Sequence, residues 1–419
     1  MIQYKRFTLA NGLRVLIHED KSSPMAAVNV CYYVGARDES PERTGFAHLF
    51  EHLMFGGTAA VPNFDDPLQL AGGENNAFTN NDITNFYDLV PANNLEVALW
   101  VESDRMANMT FSRKSLNTQR KVVVEEFKET CLNEPYGDVW HHLSDLAYKV
   151  HPYRWPTIGK IPEHVSSAKL SEVRDFHQKY YHPNNAVLVV AGNVVTEEAL
   201  ALIEKWFGHL PAGPPVERII PAEPPQKILQ QRILNGTAPA DALYLAFHIP
   251  SRVDLDFYSV DLLSDILANG PSSRLYRRLL KEQELFSAVD CYISGTIDPG
   301  LLIIEAKPVE GVSISQARAA IWHELELLKA EGVDQRELEK VKNKTESHLL
   351  FSELSTLNKA INLAFFEILG NAELINQEAQ LYRRVTREEL QAQAQRIFVA
   401  ENCSDVAYEA AALAEEVGA

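Results

Sequence analysis

The chain has 419 residues, 46% of them hydrophobic, and a formal net charge of −18. This length allows more than one sizeable core and predicts about two or three domains. The negative charge argues against nucleic acid, whose phosphates would be repelled. It favours neutral or basic peptides as ligands, although acidic groups also simply keep a surface soluble. No stretch approaches the roughly 18–20 uninterrupted apolar residues that span a bilayer, so no membrane partner is predicted.

The four cysteines lie far apart and form no CxxC pair. We therefore interpret them as ordinary reduced thiols. The first residues, MIQYKRFTLANG, lack the apolar core of a signal peptide. Together these features predict a cytoplasmic protein.

The first predicted element is a β-hairpin. Asn11-Gly12, within FTLANGLRVLIHED, suits a type I′ turn between two strands. The alternating or apolar run 28–35 predicts a further strand of the same sheet.

The segment GFAHLFEHLMFGGT contains His48, Glu51 and His52 in the order H-x-x-E-H. On a helix, His48 and His52 lie one turn apart on one face, so both imidazoles can reach one metal ion. Glu51 lies beside them, close enough to reach a water on that ion. Two neutral nitrogens and a carboxylate are a typical catalytic zinc set, with one position open to water. The order is the inverted form of the H-E-x-x-H zinc-protease signature.

The flanks of this motif are apolar on nearly every side, which is typical of a buried helix. Imidazole and carboxylate groups in such a helix are costly unless they are paired or bind a metal. The alternative interpretation is a pair of hydrogen-bonded core histidines. Gly56-Gly57 predicts the end of the helix.

A third ligand should come from a second helix, because two ligands on one helix leave the site incomplete. The segment 113–132 offers Glu125 and Glu126 after three valines. Neighbouring residues differ by about 100° around a helix, so only one of the two can face the metal. From the residues alone, both remain candidates.

Four stretches of the first half together resemble the pitrilysin, insulysin and mitochondrial processing peptidase family of zinc metallopeptidases, in its short, processing-peptidase-like bacterial form. They are HLFEHLMFGGT, GGENNAFTNNDITNFYDLVP (72–91), QRKVVVEEFKE (119–129) and HPYRWPTIG (151–159). The resemblance implies that Glu126, 74 positions after His52, is the third ligand and that Glu125 is a solvated or hydrogen-bonded neighbour. One Zn²⁺ per chain is therefore expected, held by His48, His52 and Glu126.

The resemblance also implies a reaction and a substrate site. Glu51 would act as the general base of peptide hydrolysis, without a covalent intermediate. An extended peptide would dock beside Asn76 and Ala77 as an added strand, a mode that tolerates many sequences.

The proline-rich segment 211–227 has six prolines in seventeen positions. Neither a helix nor a central strand tolerates such a run, so it predicts an extended connector. We predict a metal-binding domain at 1–210 and a second domain at 228–419.

The sequence pattern predicts a similar order of strands and helices in the two halves of the chain. Strand-like runs at 28–34, 85–90 and 186–191 alternate with helical runs at 43–57, 94–108, 113–130 and 196–207. The second half repeats part of this order, with strands at 242–249 and 301–306 and helices at 255–269, 313–330 and 334–352. This pattern predicts two homologous α+β domains, sandwich-like, with mixed and largely antiparallel sheets. The resemblance implies that they form half of a clamshell peptidase chamber.

The second half lacks an H-x-x-E-H motif. SVDLLSDIL (259–267) stands where the metal helix would be, so no second metal site is expected. His141-His142 also predicts none, because adjacent helical residues point about 100° apart.

The chain departs from the family pattern at three positions. Gln119 replaces a Glu that usually lies seven residues before the third ligand. Leu279 and Phe286 occupy the places of an Arg and a Tyr that grip the substrate in active members. The neighbouring Arg277 and Arg278 are substitutes if the register shifts by one or two residues.

Three functions remain open. The first is a zinc endopeptidase for extended peptides, acting as a dimer and preferentially as a heterodimer whose homologous partner supplies the Arg and Tyr. The second is an assembly subunit without catalysis. The third is a peptide-binding module that holds zinc without turnover.

Overall fold

The computed structural model describes residues 1–235 and 238–410. These residues form two compact units, each assembled from more than one stretch of the chain. The first unit comprises 1–127, 155–221 and 348–378, and the second comprises 128–154, 222–347 and the described residues from 379 onward. Among the described residues, no helix is both long and apolar enough to cross a membrane.

The first unit contains a six-stranded sheet in the order β1-β2-β6-β3-β5-β4. Only the β2–β6 pair is parallel, and the other neighbours are antiparallel. The strands are β1 (Lys5–Thr8), β2 (Arg14–Glu19), β3 (Met25–Tyr32), β4 (Glu74–Thr79), β5 (Thr84–Pro91) and β6 (Ala186–Gly192). The central strands β3 and β6 are almost wholly buried, which explains their near-continuous apolar sequences.

The second unit contains a five-stranded sheet in the order β7-β11-β8-β10-β9. The β7–β11 pair is parallel and the remaining pairs are antiparallel. The strands are β7 (Gln230–Asn235), β8 (Ala242–His248), β9 (Phe286–Ile293), β10 (Leu301–Pro308) and β11 (Cys403–Glu409).

The two sheets share one topology, which confirms the predicted duplication. In chain order, β7 to β11 repeat the neighbours and directions of β2 to β6, with β1 as an extra edge strand in the first unit. The prediction of two α+β domains with mixed, largely antiparallel sheets is therefore correct.

Fourteen α-helices are present in the described residues. The first seven are α1 (Phe46–Leu53), α2 (Asp65–Leu70), α3 (Leu95–Asn108), α4 (Arg113–Phe127), α5 (Val139–Ala147), α6 (Pro162–Ser166) and α7 (Leu170–Tyr180). The others are α8 (Thr196–Phe207), α9 (Asp256–Ala268), α10 (Ile314–Glu331), α11 (Gln335–Ser352), α12 (Thr356–Ile368), α13 (Leu374–Arg384) and α14 (Arg387–Ile397). Single π-helical segments lie at Lys128–Asn133 and Tyr276–Glu282.

The compact units divide the chain differently from the contiguous domains predicted at 1–210 and 228–419. Helix α5 precedes the proline-rich segment but packs on β7, β8 and β11 of the second sheet. Helix α12 follows that segment but packs on β3 and β6 of the first sheet. Each sheet thus buries one face against a helix from the other half of the sequence. Within 211–227, the boundary falls between Pro221 and Ala222.

The turn after β1 is not of type I′. That type needs a positive φ at both central residues, but of Asn11 and Gly12 only Gly12 has one, at 85°. The Gly12 N–H donates to Leu9 O, so residues 9–12 form a hydrogen-bonded turn. Gly12 is the last residue of this turn and has a left-handed backbone conformation. The Asn11 amide instead donates to Phe207 O at 2.8 Å and Leu210 O at 3.0 Å, so it fixes the end of α8.

Candidate metal centre

Helix α1 presents one polar face. Five of its eight residues are buried, namely Phe46, Ala47, Leu49, Phe50 and Leu53. The three remaining positions are His48, Glu51 and His52, which are half-buried. Because the apolar residues of the motif face the core, both imidazoles and the Glu51 carboxylate lie on the opposite side of the helix.

Helix α4 packs against α1 and contributes Glu126. Val123, one turn earlier, points into the core, and this orientation brings Glu126 onto the side that faces α1. Glu125 is exposed, because one residue rotates it by about 100°. The structure thus places Glu126, and not Glu125, beside the two histidines.

His48, His52 and Glu126 offer three donor atoms in a small triangle. The two Nε2 atoms lie 3.3 Å apart. Glu126 Oε1 lies 3.6 Å from His48 Nε2, and its Oε2 lies 3.3 Å from His52 Nε2. A tetrahedral zinc ion with bonds of about 2.0–2.1 Å requires donors about 3.3–3.4 Å apart. The triangle therefore fits zinc, and within the described residues no other cluster of metal-binding side chains has such spacing.

The charges at this triangle suit a metal. Burial lowers the pKa of His48 and outweighs the opposing effect of the Glu126 carboxylate, so the imidazole is neutral near pH 7. A hydrogen bond with His52 lowers the pKa of the Glu126 carboxyl, so Glu126 is ionised. Neutral imidazole and carboxylate are the forms that bind a cation.

The N-terminus of α1 is held by Glu39, a residue that the sequence alone did not indicate. Gly45, the N-cap residue, has φ 83° and provides no side-chain cap. Glu39 fills this role from the preceding loop: its Oε2 accepts from Gly45 N at 2.9 Å and its Oε1 accepts from Ala47 N at 2.8 Å. Burial raises the pKa of Glu39 to about 8, against the opposing effect of these hydrogen bonds.

The last turn of α1 meets a guanidinium group that was also missed. Arg105 on α3 is 1% exposed and donates from Nη1 to the carbonyl of Met54, the C-cap of α1, at 2.8 Å. Its Nε donates to Glu102 at 3.0 Å. The guanidinium also lies 4.2–4.9 Å from three aromatic ring centres, those of Phe55, Phe64 and Phe86.

Asn76 and Ala77 lie on β4, the edge strand of the first sheet, which contacts α1. β4 pairs with β5 on one side, with Asn76 opposite Tyr87 and Ala77 opposite Phe86. The Ala77 N–H is bound by the Asn76 side-chain oxygen at 2.8 Å rather than by β5. This N–H therefore points toward the open edge of the sheet.

Leu279 and Phe286 lie in the second unit and are buried, with 1% and 2% exposure. Both therefore pack in the core and carry no polar group. Arg278 pairs with Glu324 at 2.7 Å, and Arg277 lies 3.5 Å from Glu282. The two arginines are thus engaged by carboxylates of their own unit.

Two further residues noted in the sequence are His142 and Gln119. His142 contacts Asp138 and Arg232 at 3.0 Å each, which agrees with the structural role expected for this pair. Gln119 lies on α4, two turns before Glu126, and is half-buried.

Two family models match the chain. Residues 14–160 match the insulinase family, peptidase family M16, and residues 167–345 match the peptidase M16 inactive domain. An uncharacterized zinc protease of Mycobacterium leprae is 31% identical over 321 residues, which cover 73% of this chain and 69% of the relative.

The chain belongs to peptidase family M16. The zinc protease PqqE of Helicobacter pylori is 28% identical over 348 residues, covering 81% of this chain and 78% of the relative. A crystal structure of a protease from Helicobacter pylori has a TM-score of 0.92 at 26% identity, covering 98% of this chain and 100% of that chain. These findings confirm the predicted family.

The fold of pitrilysin matches with a TM-score of 0.77 at 20% identity. That match covers 97% of this chain and 45% of pitrilysin, so this M16 chain corresponds to about half of the larger fold. The second matching domain is described as inactive, in accord with a second half that lacks H-x-x-E-H.

Proposed function

We propose that this M16 chain is the metal-bearing subunit of a zinc metallopeptidase that hydrolyses extended peptides. One observation carries the proposal: the donor triangle of His48, His52 and Glu126 has the edge lengths of a zinc site, and Glu51 lies on the same polar face of α1. The names of related zinc proteases support zinc as the metal.

The residues of the chain have separate tasks in this proposal. His48, His52 and Glu126 hold the metal, leaving the fourth tetrahedral position to water or substrate. A zinc ion held there would supply Lewis-acid polarisation of the scissile carbonyl and make a water more acidic. The Glu51 carboxylate accepts the proton of the attacking water and delivers it to the leaving amine.

The open edge of β4 is the proposed peptide site. An extended substrate can pair there through its backbone, accepting from the Ala77 N–H once the Asn76 side chain turns away. Backbone pairing explains how one site accepts many sequences, and it requires an unfolded segment of substrate. The acidic net charge favours neutral or basic peptides among these.

The proposal includes a homologous partner. Leu279 and Phe286 offer no hydrogen bond to a substrate carbonyl, so a second chain should supply this contact. One relative, from Arabidopsis thaliana, is named probable mitochondrial-processing peptidase subunit beta, and is thus a subunit by name. It is 28% identical over 268 residues, which cover 62% of this chain and 50% of the relative. We therefore place this chain in a heterodimer.

The test is hydrolysis of fluorogenic unstructured peptides by the purified chain, alone and with its homologous partner. Turnover that a chelator abolishes and Zn²⁺ restores would support the proposal, provided Glu51→Gln stays inactive under both conditions. Zinc binding with no turnover, even with the partner, would instead favour the peptide-binding alternative. A stoichiometric complex that has neither metal nor turnover would favour the assembly subunit.

A further inference from the structure

Helix α1 is too short to fix its own position. It has eight residues, or about two turns, whereas isolated helices below about 12–15 residues are marginal in water. Nevertheless it carries two of the three proposed ligands and the base. Its position must therefore be imposed by contacts at its ends and on its apolar face.

Both ends of α1 are held by buried side chains, with acceptor oxygens of Glu39 at the N-terminus and a cationic donor, Arg105, at the C-terminus. Glu39 accepts two of the free N–H groups at the first turn. Arg105 donates to Met54 O, one of the free carbonyls at the last turn. A helix has partial positive charge at its N-terminus and partial negative charge at its C-terminus, so both contacts are favourable.

Glu39 and Arg105, the two anchors of α1, are themselves buried. Glu39 is 7% exposed, and Arg105 is fixed by Glu102 and enclosed by three aromatic rings. Met54 lies two residues after His52, and Ala47 immediately precedes His48, so each anchor acts next to a ligand.

We infer that Glu39 and Arg105 are positioning residues that hold the His48–His52 pair in its metal-binding geometry before the metal arrives. The inference rests on the proposed function only for the identity of the metal site. It assigns a task to two buried ionisable side chains that catalysis itself does not use. Groups that orient metal ligands from outside the ligand set typically contribute about 10–100-fold to metal affinity.

Glu39→Gln is the sharpest variant. The glutamine has nearly the same shape but only one acceptor oxygen, so its NH₂ group must face either Gly45 N–H or Ala47 N–H. Arg105→Lys is the second variant: the ammonium keeps the charge, but it cannot bind Met54 O and Glu102 with the same planar geometry.

Glu367→Gln is the matched control. Glu367 on α12 is also a buried glutamate of the first unit, with 1% exposure, but it accepts from Arg6 of β1 and not from α1. Its loss should lower the stability of the unit without moving the metal ligands.

The experiment measures Zn²⁺ affinity by competition with a chromogenic chelator, and amide hydrogen exchange over 45–54 in the metal-free chain. We expect Glu39→Gln and Arg105→Lys to weaken zinc binding about 10–100-fold while keeping one site per chain, and to speed exchange in α1. The control should change neither measurement.

Unchanged zinc affinity in folded Glu39→Gln would overturn this inference alone, as would equal weakening in the Glu367→Gln control. A wild-type chain that bound no zinc would overturn the proposed function and the inference together. If Glu39→Gln does not fold, Glu39→Asp replaces it, because the shorter side chain cannot reach both N–H groups.

Discussion

His52 Nε2 lies 3.3 Å from Glu126 Oε2, although 74 positions separate the two residues in the sequence. The packing of α4 against α1 creates this proximity. The resulting site combines a local motif with one distant carboxylate, and its parts can be tested separately.

The first prediction separates the proposed base from the ligands. Glu51→Gln should keep about one metal per chain but abolish peptide hydrolysis, because the amide cannot accept the proton of water. His48→Ala should lose the metal, because it removes one of three donors. Metal analysis of both variants by mass spectrometry is the measurement. Loss of the ion from Glu51→Gln would show that Glu51 is a ligand.

The second prediction compares adjacent glutamates. Glu126→Gln should weaken zinc binding by more than about 100-fold, since even partners outside the ligand set contribute about 10–100-fold. Glu125→Gln is the matched control and should retain wild-type affinity, because Glu125 is exposed and turned away. Zinc titration of both variants decides the point. A larger effect at Glu125 would reverse the assignment.

The third prediction concerns His177 on α7. Its ring stacks on Tyr181 at 5.6 Å and meets Phe111 edge-on at 5.0 Å. Burial, with a smaller contribution from His182, lowers the pKa of His177 to about 4. The unfolded chain therefore binds more protons between about pH 4 and 6.5, so the stability contribution is complete above pH 6.5 and is lost as the pH falls to about 4.

His177→Phe should remove this pH dependence. A shift of about two and a half pKa units corresponds to about 3 kcal/mol. Between pH 6.5 and pH 4, the free energy of unfolding should therefore fall by about 3 kcal/mol less in the variant than in the wild type. Urea unfolding at several pH values measures the difference. His323→Gln, a substitution of an exposed histidine, is the control. Parallel curves for wild type and His177→Phe would contradict the prediction.

Much of the fold could be predicted from the sequence, because its signals are local. The apolar runs at 186–191, 242–249 and 301–306 correspond to β6, β8 and β10. The motif at 48–52 forms a helix with its polar residues on one face. In each case the periodicity of neighbouring residues is sufficient, since it determines which side of an element is buried.

The remaining features depend on contacts between distant segments. Nothing in the local pattern of α5 or α12 indicates that each packs on the sheet of the other half. Glu39 and Arg105 could be noticed only as charges near apolar segments, because their partners are main-chain groups of α1. The missing side-chain cap at Gly45 was the available signal for Glu39.

The fourth prediction tests the open edge of β4. Ala77→Pro removes the outward N–H without removing a hydrogen bond to β5, and extended backbone accepts proline. We expect a higher KM for extended peptides, with metal content unchanged. Ala77→Ser keeps the N–H and serves as the control. Peptide kinetics with an unaltered KM for Ala77→Pro would place the substrate elsewhere.

The last prediction follows from the buried Leu279 and Phe286. Because neither can bind the substrate carbonyl, the isolated chain should lack a transition-state hydrogen bond, and a homodimer would not supply it. Removing one such donor typically lowers kcat by about 10²–10³-fold. The purified chain should therefore bind zinc yet hydrolyse peptides slowly, and a homologous partner carrying Arg and Tyr should raise kcat by about that factor. Replacing that Arg and Tyr in the partner should remove the gain without changing the zinc content of this chain. Full activity from the single chain would mean that Arg277, Arg278 or another residue of this chain makes the contact.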